Sequence, residues 1–209
     1  MIRAVIFDMD GVLIDAREWH YAALNRALAL VGFEISRFDH LSTYDGLPTR
    51  RKLEMLSVER ALPRQLHELL GDLKQIYTME LVQTRCKPVF QHEFAISQLR
   101  AGGYRLGLAS NSTRNSVIAM MTRANLLDYF EAVVSNEDVE IAKPDPEMYR
   151  KAMSMLGVTP AETLVVEDNE HGVAAARASG AHLMVVESPD EVTLEAIRDQ
   201  IALAEAAGA

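Results

Sequence analysis

Residues 4–15 read Ala-Val-Ile-Phe-Asp-Met-Asp-Gly-Val-Leu-Ile-Asp, which is the most informative stretch of the sequence. The apolar run at 4–7 predicts a buried β-strand that leads directly into Asp8, Asp10 and Gly11. Successive strand side chains alternate between faces, so an extended backbone would turn Asp8 and Asp10 to the same side. Gly11 permits a turn that a residue with a Cβ resists. Two acids this close repel each other unless a cation or a shared proton separates them. The stretch therefore predicts either a cation-binding strand end or two acids that face water.

Three later segments also combine an apolar, strand-like run with polar residues beyond its end. In an open α/β sheet the carboxyl ends of parallel strands meet at one edge, where ligands bind. That edge is predicted to hold four acids, one lysine and a hydroxyl–amide pair. The run at 104–109 leads into Ser110 and Asn111, and the run at 163–166 leads into Glu167 and Asp168. The run at 130–135 is followed, after a short acidic stretch, by Lys143.

With these groups in order, the sequence resembles the haloacid dehalogenase superfamily. The similarity is to its helical-cap branch, which includes β-phosphoglucomutase and the sugar-phosphate and phosphoglycolate phosphatases. It spans essentially the whole chain and implies an α/β fold, with a Rossmann-like parallel sheet core and an inserted helical cap. The four motifs of the superfamily appear as Asp8-x-Asp10-Gly11, Ser110-Asn111, Lys143-Pro144 and Glu167-Asp168.

The periodicity of apolar residues predicts how the elements are distributed. Helical and strand patterns alternate from residue 87 onward, which predicts a parallel sheet with right-handed crossovers. Residues 16–83 carry only helical patterns. We therefore expect a discontinuous α/β catalytic core, 1–15 and 84–209, interrupted by a helical cap domain, 16–83. Beyond the strands already given, one more is expected at 182–186, with helices at 18–31, 49–58, 64–82, 91–101, 113–125, 146–156, 170–179 and 190–206.

Composition and charge limit the classes of partner. The chain has 209 residues and a net charge of −9, which argues against a nucleic-acid partner because phosphate backbones need a basic surface. The single cysteine, Cys86, excludes an intrachain disulfide. The sequence contains no run of about 18 apolar residues, so no membrane span is expected. The N-terminus lacks a secretory pattern. We expect a cytoplasmic enzyme that is a monomer or a weak homodimer and has no membrane partner.

The resemblance implies a Mg²⁺-dependent phosphatase of small phosphorylated metabolites, such as sugar phosphates. Asp8 would be the nucleophile that forms an aspartyl phosphate. Asp10 would protonate the leaving oxygen and later deprotonate water. Dehalogenases of the superfamily lack this second acid, so dehalogenation is disfavoured. The implied Mg²⁺ ligands are the carboxylates of Asp8, Glu167 and Asp168 and the backbone carbonyl of Asp10.

Three further residues are implied to bind the phosphate. Ser110 and Asn111 would donate hydrogen bonds to it, and Lys143 would neutralise charge on the transferring phosphoryl group. Each also has a structural alternative. Ser110 and Asn111 could cap the helix that follows them, Lys143 could lie in a solvated loop, and Asp168 could cap the helix expected at 170–179.

Three residues of the cap are candidates for substrate contact. His20 matches a histidine position in sugar-phosphate branches of the superfamily, although a lone helical histidine is often structural. Gly46 begins a stretch that resembles the cap loop of the family, and Arg50 follows that loop. Arg50 could hold a substrate hydroxyl or anion, or lie on a solvated face. Thr49 stands where β-phosphoglucomutase carries an arginine, so a phosphomutase is the alternative and not the leading function.

A second class of protein also fits clustered acids on a parallel sheet. Signalling receiver domains combine such acids with a hydroxyl and a lysine, but they are shorter and uninterrupted. Turnover of a phosphomonoester would separate the two classes. No Gly-x-Gly-x-x-Gly follows the first strand, which disfavours a dinucleotide-binding protein. One departure from the family pattern has no functional interpretation: Gln91-His92 lies in a segment that lacks the usual glycine before its helix.

Overall fold

The computed structural model describes residues 1–207 and contains a five-stranded, fully parallel sheet in the order β3-β2-β1-β4-β5. β1 lies at the centre, and all four of its residues are buried. A strand covered on both faces needs an unbroken apolar run, which is what residues 4–7 provide. The predicted α/β fold class is therefore confirmed. The strands are β1 (Ala4–Phe7), β2 (Arg105–Ala109), β3 (Ala132–Val134), β4 (Thr163–Glu167) and β5 (His182–Val185).

Helices follow the strands as the sequence pattern predicts, with shifted ends. The segment predicted to be helical from residue 190 first forms a 3₁₀ turn, Pro189–Glu191, before its α-helix begins. The α-helices are α1 (Arg17–Ala29), α2 (Arg37–Asp39), α3 (Thr49–Arg60), α4 (His67–Arg85), α5 (Phe90–Ala101), α6 (Arg114–Arg123), α7 (Glu147–Leu156), α8 (Glu170–Ser179) and α9 (Leu194–Ala207). No helix among residues 1–207 is long and apolar enough to cross a membrane.

The described chain divides into two compact units. The α/β unit consists of Met1–Asp15 and the chain from Lys87 onward, and the helical unit is Ala16–Cys86. The second boundary differs from the expected 83/84 because α4 continues to Arg85, so residues 84–86 stay with the helical unit. The helical unit contains no strand.

Each unit has its own apolar core. In the α/β unit, Met148 and Tyr149 of α7 pack with Ile6 of the central strand in one buried cluster. In the helical unit, Leu24, Leu28 and neighbouring helix residues pack in another. Burial of apolar surface stabilises each core by roughly 25 cal/mol per Å². The rigid sheet thus gives the residues at its carboxyl edge a fixed support.

Candidate active site

The carboxyl edge of the sheet brings Asp8 and Ser110 to neighbouring strand ends. Asp8 follows β1, and its backbone N–H donates to the carbonyl of Val166 in β4 at 3.0 Å. Ser110 follows β2, and its N–H donates to the carbonyl of Val134 in β3 at 2.9 Å. These bonds continue the sheet pattern one residue past each strand. The two side chains are therefore positioned by the sheet itself and not by a mobile loop.

Lys143 lies at the centre of the site and is buried. Its Nζ donates to Asp8 Oδ1 at 2.7 Å, to Glu167 Oε1 at 2.6 Å and to the carbonyl of Ala109 at 2.8 Å. An ammonium has three donors, and all three are used. Burial alone would lower the pKa of Lys143, but the carboxylates of Asp8 and Glu167 raise it above its ordinary value. Lys143 is therefore a fixed positive charge between two acids, and the solvated-loop alternative is wrong.

The Glu167 carboxylate accepts hydrogen bonds at both oxygens. Its Oε1 receives Lys143 Nζ and also the Tyr149 hydroxyl, at 2.5 Å. Its Oε2 receives the backbone N–H groups of Asp168 and Asn169, at 3.0 and 3.3 Å. Glu167 is only 1% exposed. Four donors on one buried carboxylate make it a rigid anchor for the strand end and for Lys143.

Two glycines leave room for the acids. An added Cβ at Gly172, in the first turn of α8, would lie 1.7 Å from Glu167 Oε1. An added Cβ at Gly11, whose φ is +92°, would lie 2.0 Å from Asp168 Oδ2. The α8 cap is Asn169, whose side chain accepts from the N–H of His171 at 3.0 Å. The alternative in which Asp168 caps this helix is therefore wrong.

Asp8, Glu167 and Asp168 form an acidic cluster whose nearest oxygens all lie within 4.8 Å of one another. Burial raises the pKa of Asp8 well above its usual range; Lys143 opposes the shift, and the neighbouring acids add to it. One ammonium cannot balance this many carboxylates. Closely spaced hard oxygens with excess negative charge fit a divalent cation that prefers oxygen ligands.

Asp10 is half-buried and held from the neighbouring loop. The hydroxyl of Ser112 donates to Asp10 Oδ2 at 2.7 Å, and the hydroxyl of Ser110 lies 3.5 Å from the same oxygen. The N–H of Ser112 donates to Ser110 Oγ at 3.1 Å. Sequence reasoning did not single out Ser112. Its signal was present, since a third polar residue follows the Ser110-Asn111 motif.

Asn111 contacts the loop that carries Lys143. Its Oδ1 accepts from the N–H of Lys143 at 3.1 Å, and its Nδ2 donates to the carbonyl of Lys143 at 3.3 Å. The amide therefore binds the main chain of the lysine loop. The N-cap of α6 is Thr113, so the alternative in which Ser110 and Asn111 cap this helix is wrong. Donation to a phosphate by Ser110 and by the Asn111 backbone stays a prediction.

The three expected cap residues lie in the helical unit. His20 is in α1, where its Nδ1 accepts from Lys74 Nζ at 3.1 Å. Gly46 has a φ of +71°, a left-handed conformation that favours glycine. Arg50 lies on the exposed face of α3 and pairs with Glu54 at 3.2 Å. Their role in substrate contact stays a prediction.

The remaining departure from the family pattern has a structural explanation. Gln91 Nε2 donates to the carbonyls of Asp190 and Val192, at 2.9 and 3.3 Å. His92 is buried, and its Nε2 lies 2.8 Å from the carbonyl of Pro189. This pair therefore joins the start of α5 to the segment before α9.

The carboxyl edge of the parallel sheet combines a buried lysine with an acidic cluster that fits a cation. A second acid nearby has its own hydrogen-bond partner. This combination defines an α/β hydrolytic enzyme. The chain belongs to the haloacid dehalogenase-like hydrolase family, whose model matches residues 5–186. This confirms the resemblance and the hydrolase class inferred from the four motifs.

Several of the similar proteins are phosphatases by name. Pyrophosphatase PpaX of Bacillus velezensis is 31% identical over 189 residues, which cover 86% of this chain and 80% of its own. A phosphoglycolate phosphatase of Nitrosospira multiformis is 31% identical over 88% of this chain and 83% of its own. The crystal structure of β-phosphoglucomutase from Clostridium difficile superposes with a TM-score of 0.83 at 20% identity, covering 97% of this chain and 98% of that one. This last likeness shows the fold alone.

Proposed function

We propose that this protein is a Mg²⁺-dependent phosphatase that hydrolyses a small phosphomonoester, such as a sugar phosphate, through an aspartyl-phosphate intermediate. The observation that carries the proposal is the pair formed by Asp8 and Lys143 at 2.7 Å beside the acidic cluster. It combines an anionic nucleophile with a cation placed to attract an anionic substrate. The phosphatase names of the relatives support the same reaction class.

In the first half-reaction, a carboxylate oxygen of Asp8 attacks phosphorus and the bond from phosphorus to the ester oxygen breaks. Asp10 gives its proton to that leaving oxygen, which departs as an alcohol. Lys143 neutralises part of the charge on the transferring group. The product on the enzyme is a mixed anhydride between Asp8 and the phosphoryl group.

In the second half-reaction, Asp10 takes a proton from water as the water oxygen attacks phosphorus. The bond between phosphorus and Asp8 breaks, which returns the Asp8 carboxylate and releases inorganic phosphate. Asp10 ends protonated, ready for the next ester. Ser112 fits this role because its hydroxyl donates to Asp10 Oδ2 and so fixes the orientation of the carboxyl group.

Mg²⁺ bound at this edge would offset the repulsion between the acids and an anionic phosphate. The groups that would hold it are the carboxylates of Asp8, Glu167 and Asp168 and the backbone carbonyl of Asp10. In the helical unit, we propose that His20, Gly46 and Arg50 contribute to substrate choice. Small phosphorylated metabolites are the proposed partners.

The test is phosphate release from a panel of phosphorylated metabolites, first with Mg²⁺ and then with excess EDTA. We expect turnover of at least one phosphomonoester, abolished by EDTA and restored by added Mg²⁺. Turnover that continues undiminished in EDTA would remove the metal from the mechanism. No turnover of any ester, together with slow labelling of Asp8 by a phosphoryl donor, would favour the receiver-domain alternative.

A further inference from the structure

Tyr149 belongs to the acidic site although it lies outside the four motifs. It is on α7, six residues after Lys143, and is fully buried in the core of the α/β unit. Its hydroxyl donates to Glu167 Oε1 at 2.5 Å. Lys143 Nζ lies 4.6 Å from the centre of its ring. Tyr149 thus contacts both members of the Lys143–Glu167 pair.

We propose that Tyr149 is a positioning residue for the phosphoryl transfer described above: its hydroxyl holds the Glu167 carboxylate so that the Lys143 ammonium is shared with Asp8. The inference rests on the proposed function. It adds a residue whose action on Asp8 passes through Glu167 and Lys143, since Tyr149 makes no hydrogen bond to Asp8.

The hydroxyl is the informative atom, because packing alone would be served by phenylalanine. A buried phenol needs a hydrogen-bond partner, and this one meets a carboxylate that already binds an ammonium. Charge-assisted hydrogen bonds of this kind are stronger than neutral ones. The ring meanwhile offers its π-face to Lys143 at a distance typical of cation–π contact.

The two donors on Glu167 Oε1 compete for the same oxygen. With the phenol present, part of the negative charge of Glu167 is already satisfied, and Lys143 can divide its donors between Glu167 and Asp8. Without it, Glu167 would keep only Lys143 on that oxygen and would draw the ammonium more strongly. The phenol therefore favours the arrangement in which Asp8 retains its cation.

The first test is Tyr149→Phe, which keeps the ring and removes only the hydroxyl. Loss of a group that orients site residues typically costs about 10–100-fold in activity or metal affinity. We expect kcat for p-nitrophenyl phosphate to fall about tenfold with KM changed less than twofold. 4-Aminophenylalanine at position 149 restores a donor and should recover part of kcat. A wild-type kcat in Tyr149→Phe would overturn the proposal.

The second test is a double-mutant cycle with Glu167→Gln. If Tyr149 acts through the Glu167 carboxylate, the two substitutions are strongly non-additive. Tyr149→Phe should then lower kcat by less than about twofold in the Glu167→Gln background. A full tenfold loss in that background would show that Tyr149 acts by another route and would overturn the proposal.

A third readout needs no turnover, so failure of the proposed function would not mask the result. Isothermal titration calorimetry with Mg²⁺ should give a Kd changed several-fold in Tyr149→Phe, because the partners of the Asp8 and Glu167 carboxylates are redistributed. The control is Tyr44→Phe in the helical unit, where a buried phenol donates to Glu59 at 2.7 Å. It removes the same kind of hydrogen bond and should leave the Mg²⁺ Kd unchanged. Equal Mg²⁺ affinities in the wild type and both variants would overturn the proposal.

Discussion

Asp8 and Asp10 are two residues apart but occupy different surroundings. Asp8 is 7% exposed and is bound by Lys143, whereas Asp10 is half-buried and is bound by the neutral hydroxyl of Ser112. Burial raises the pKa of Asp8, and the adjacent Lys143 ammonium opposes that rise and so favours the ionised form that a nucleophile needs. The carboxyl group of Asp10 is oriented by the Ser112 hydroxyl, which suits the geometry of an acid–base group. The different partners therefore support the different roles proposed for the two acids.

Separate roles predict separate kinetic effects. Asp8→Asn removes the nucleophile, so turnover should vanish. The variant should still fold, as measured by circular dichroism in the absence of Mg²⁺. Asp10→Asn should lower kcat by roughly 10²–10⁴-fold, the usual range for acid–base catalysis. The rate of aspartyl-phosphate formation should fall more for an alkyl ester than for p-nitrophenyl phosphate, whose leaving group needs no proton.

The control is Asp128→Asn, a substitution at an exposed residue that is expected to match the wild type. Near wild-type turnover by Asp8→Asn would contradict the covalent mechanism.

The residues that could be predicted from sequence are those whose signal is local. Asp8 and Asp10 stand directly after an apolar run, and Lys143 carries its proline neighbour, so each is visible in a short window. Tyr149 and Ser112 are different, because their importance comes from partners distant in the chain. The sequence also could not show that Glu167 accepts four hydrogen bonds, since two of the donors, Lys143 and Tyr149, are distant in the chain.

At the scale of elements, the first turn of α8 lies directly against the acidic site. Gly172 packs so closely on Glu167 that a methyl group would displace the carboxylate. Gly172→Ala should therefore reduce the free energy of unfolding by about 1–3 kcal/mol, as overpacking usually does. It should also lower phosphatase kcat, because Glu167 holds Lys143. The measurements are urea denaturation and steady-state kinetics.

The matched control is Gly71→Ala in α4, where an added Cβ meets nothing within 4 Å. Alanine in a helix interior is more stable than glycine by roughly 0.5–1 kcal/mol, so this variant should be stabilised with unchanged kcat. Stabilisation by both substitutions would show that Gly172 is not tightly packed against the site.

Element boundaries show where local patterns stop being sufficient. The strand expected at 130–135 is shorter, Ala132–Val134, because Leu127–Tyr129 forms a 3₁₀ turn just before it. The helix expected from residue 64 begins with a 3₁₀ turn, Arg64–Leu66, and then runs past its expected end to Arg85. Periodicity gives the type of element, whereas its ends depend on turns and caps that carry a weaker signal.

At the scale of the whole molecule, chemistry and substrate choice are proposed to belong to different units. All four family motifs lie in the α/β unit. The helical unit is a continuous insertion with its own core, so its surface residues can change without disturbing the sheet. Such a division allows one phosphoryl-transfer site to serve different metabolites.

This division predicts that substitutions in the helical unit change selectivity more than chemistry. His20→Ala and Arg50→Ala should each lower kcat/KM for the preferred metabolite. A loss of binding alone would raise KM, and a loss of orientation would lower kcat as well. Hydrolysis of p-nitrophenyl phosphate should change much less, since a small aryl ester offers few groups to recognise.

The control is Arg37→Ala. Arg37 is another exposed arginine of this unit, and it pairs with Glu18. It should resemble wild type with both substrates. Equal losses on the metabolite and the aryl ester, or none on either, would remove His20 and Arg50 from substrate recognition. The four motifs of the α/β unit would still account for the chemistry.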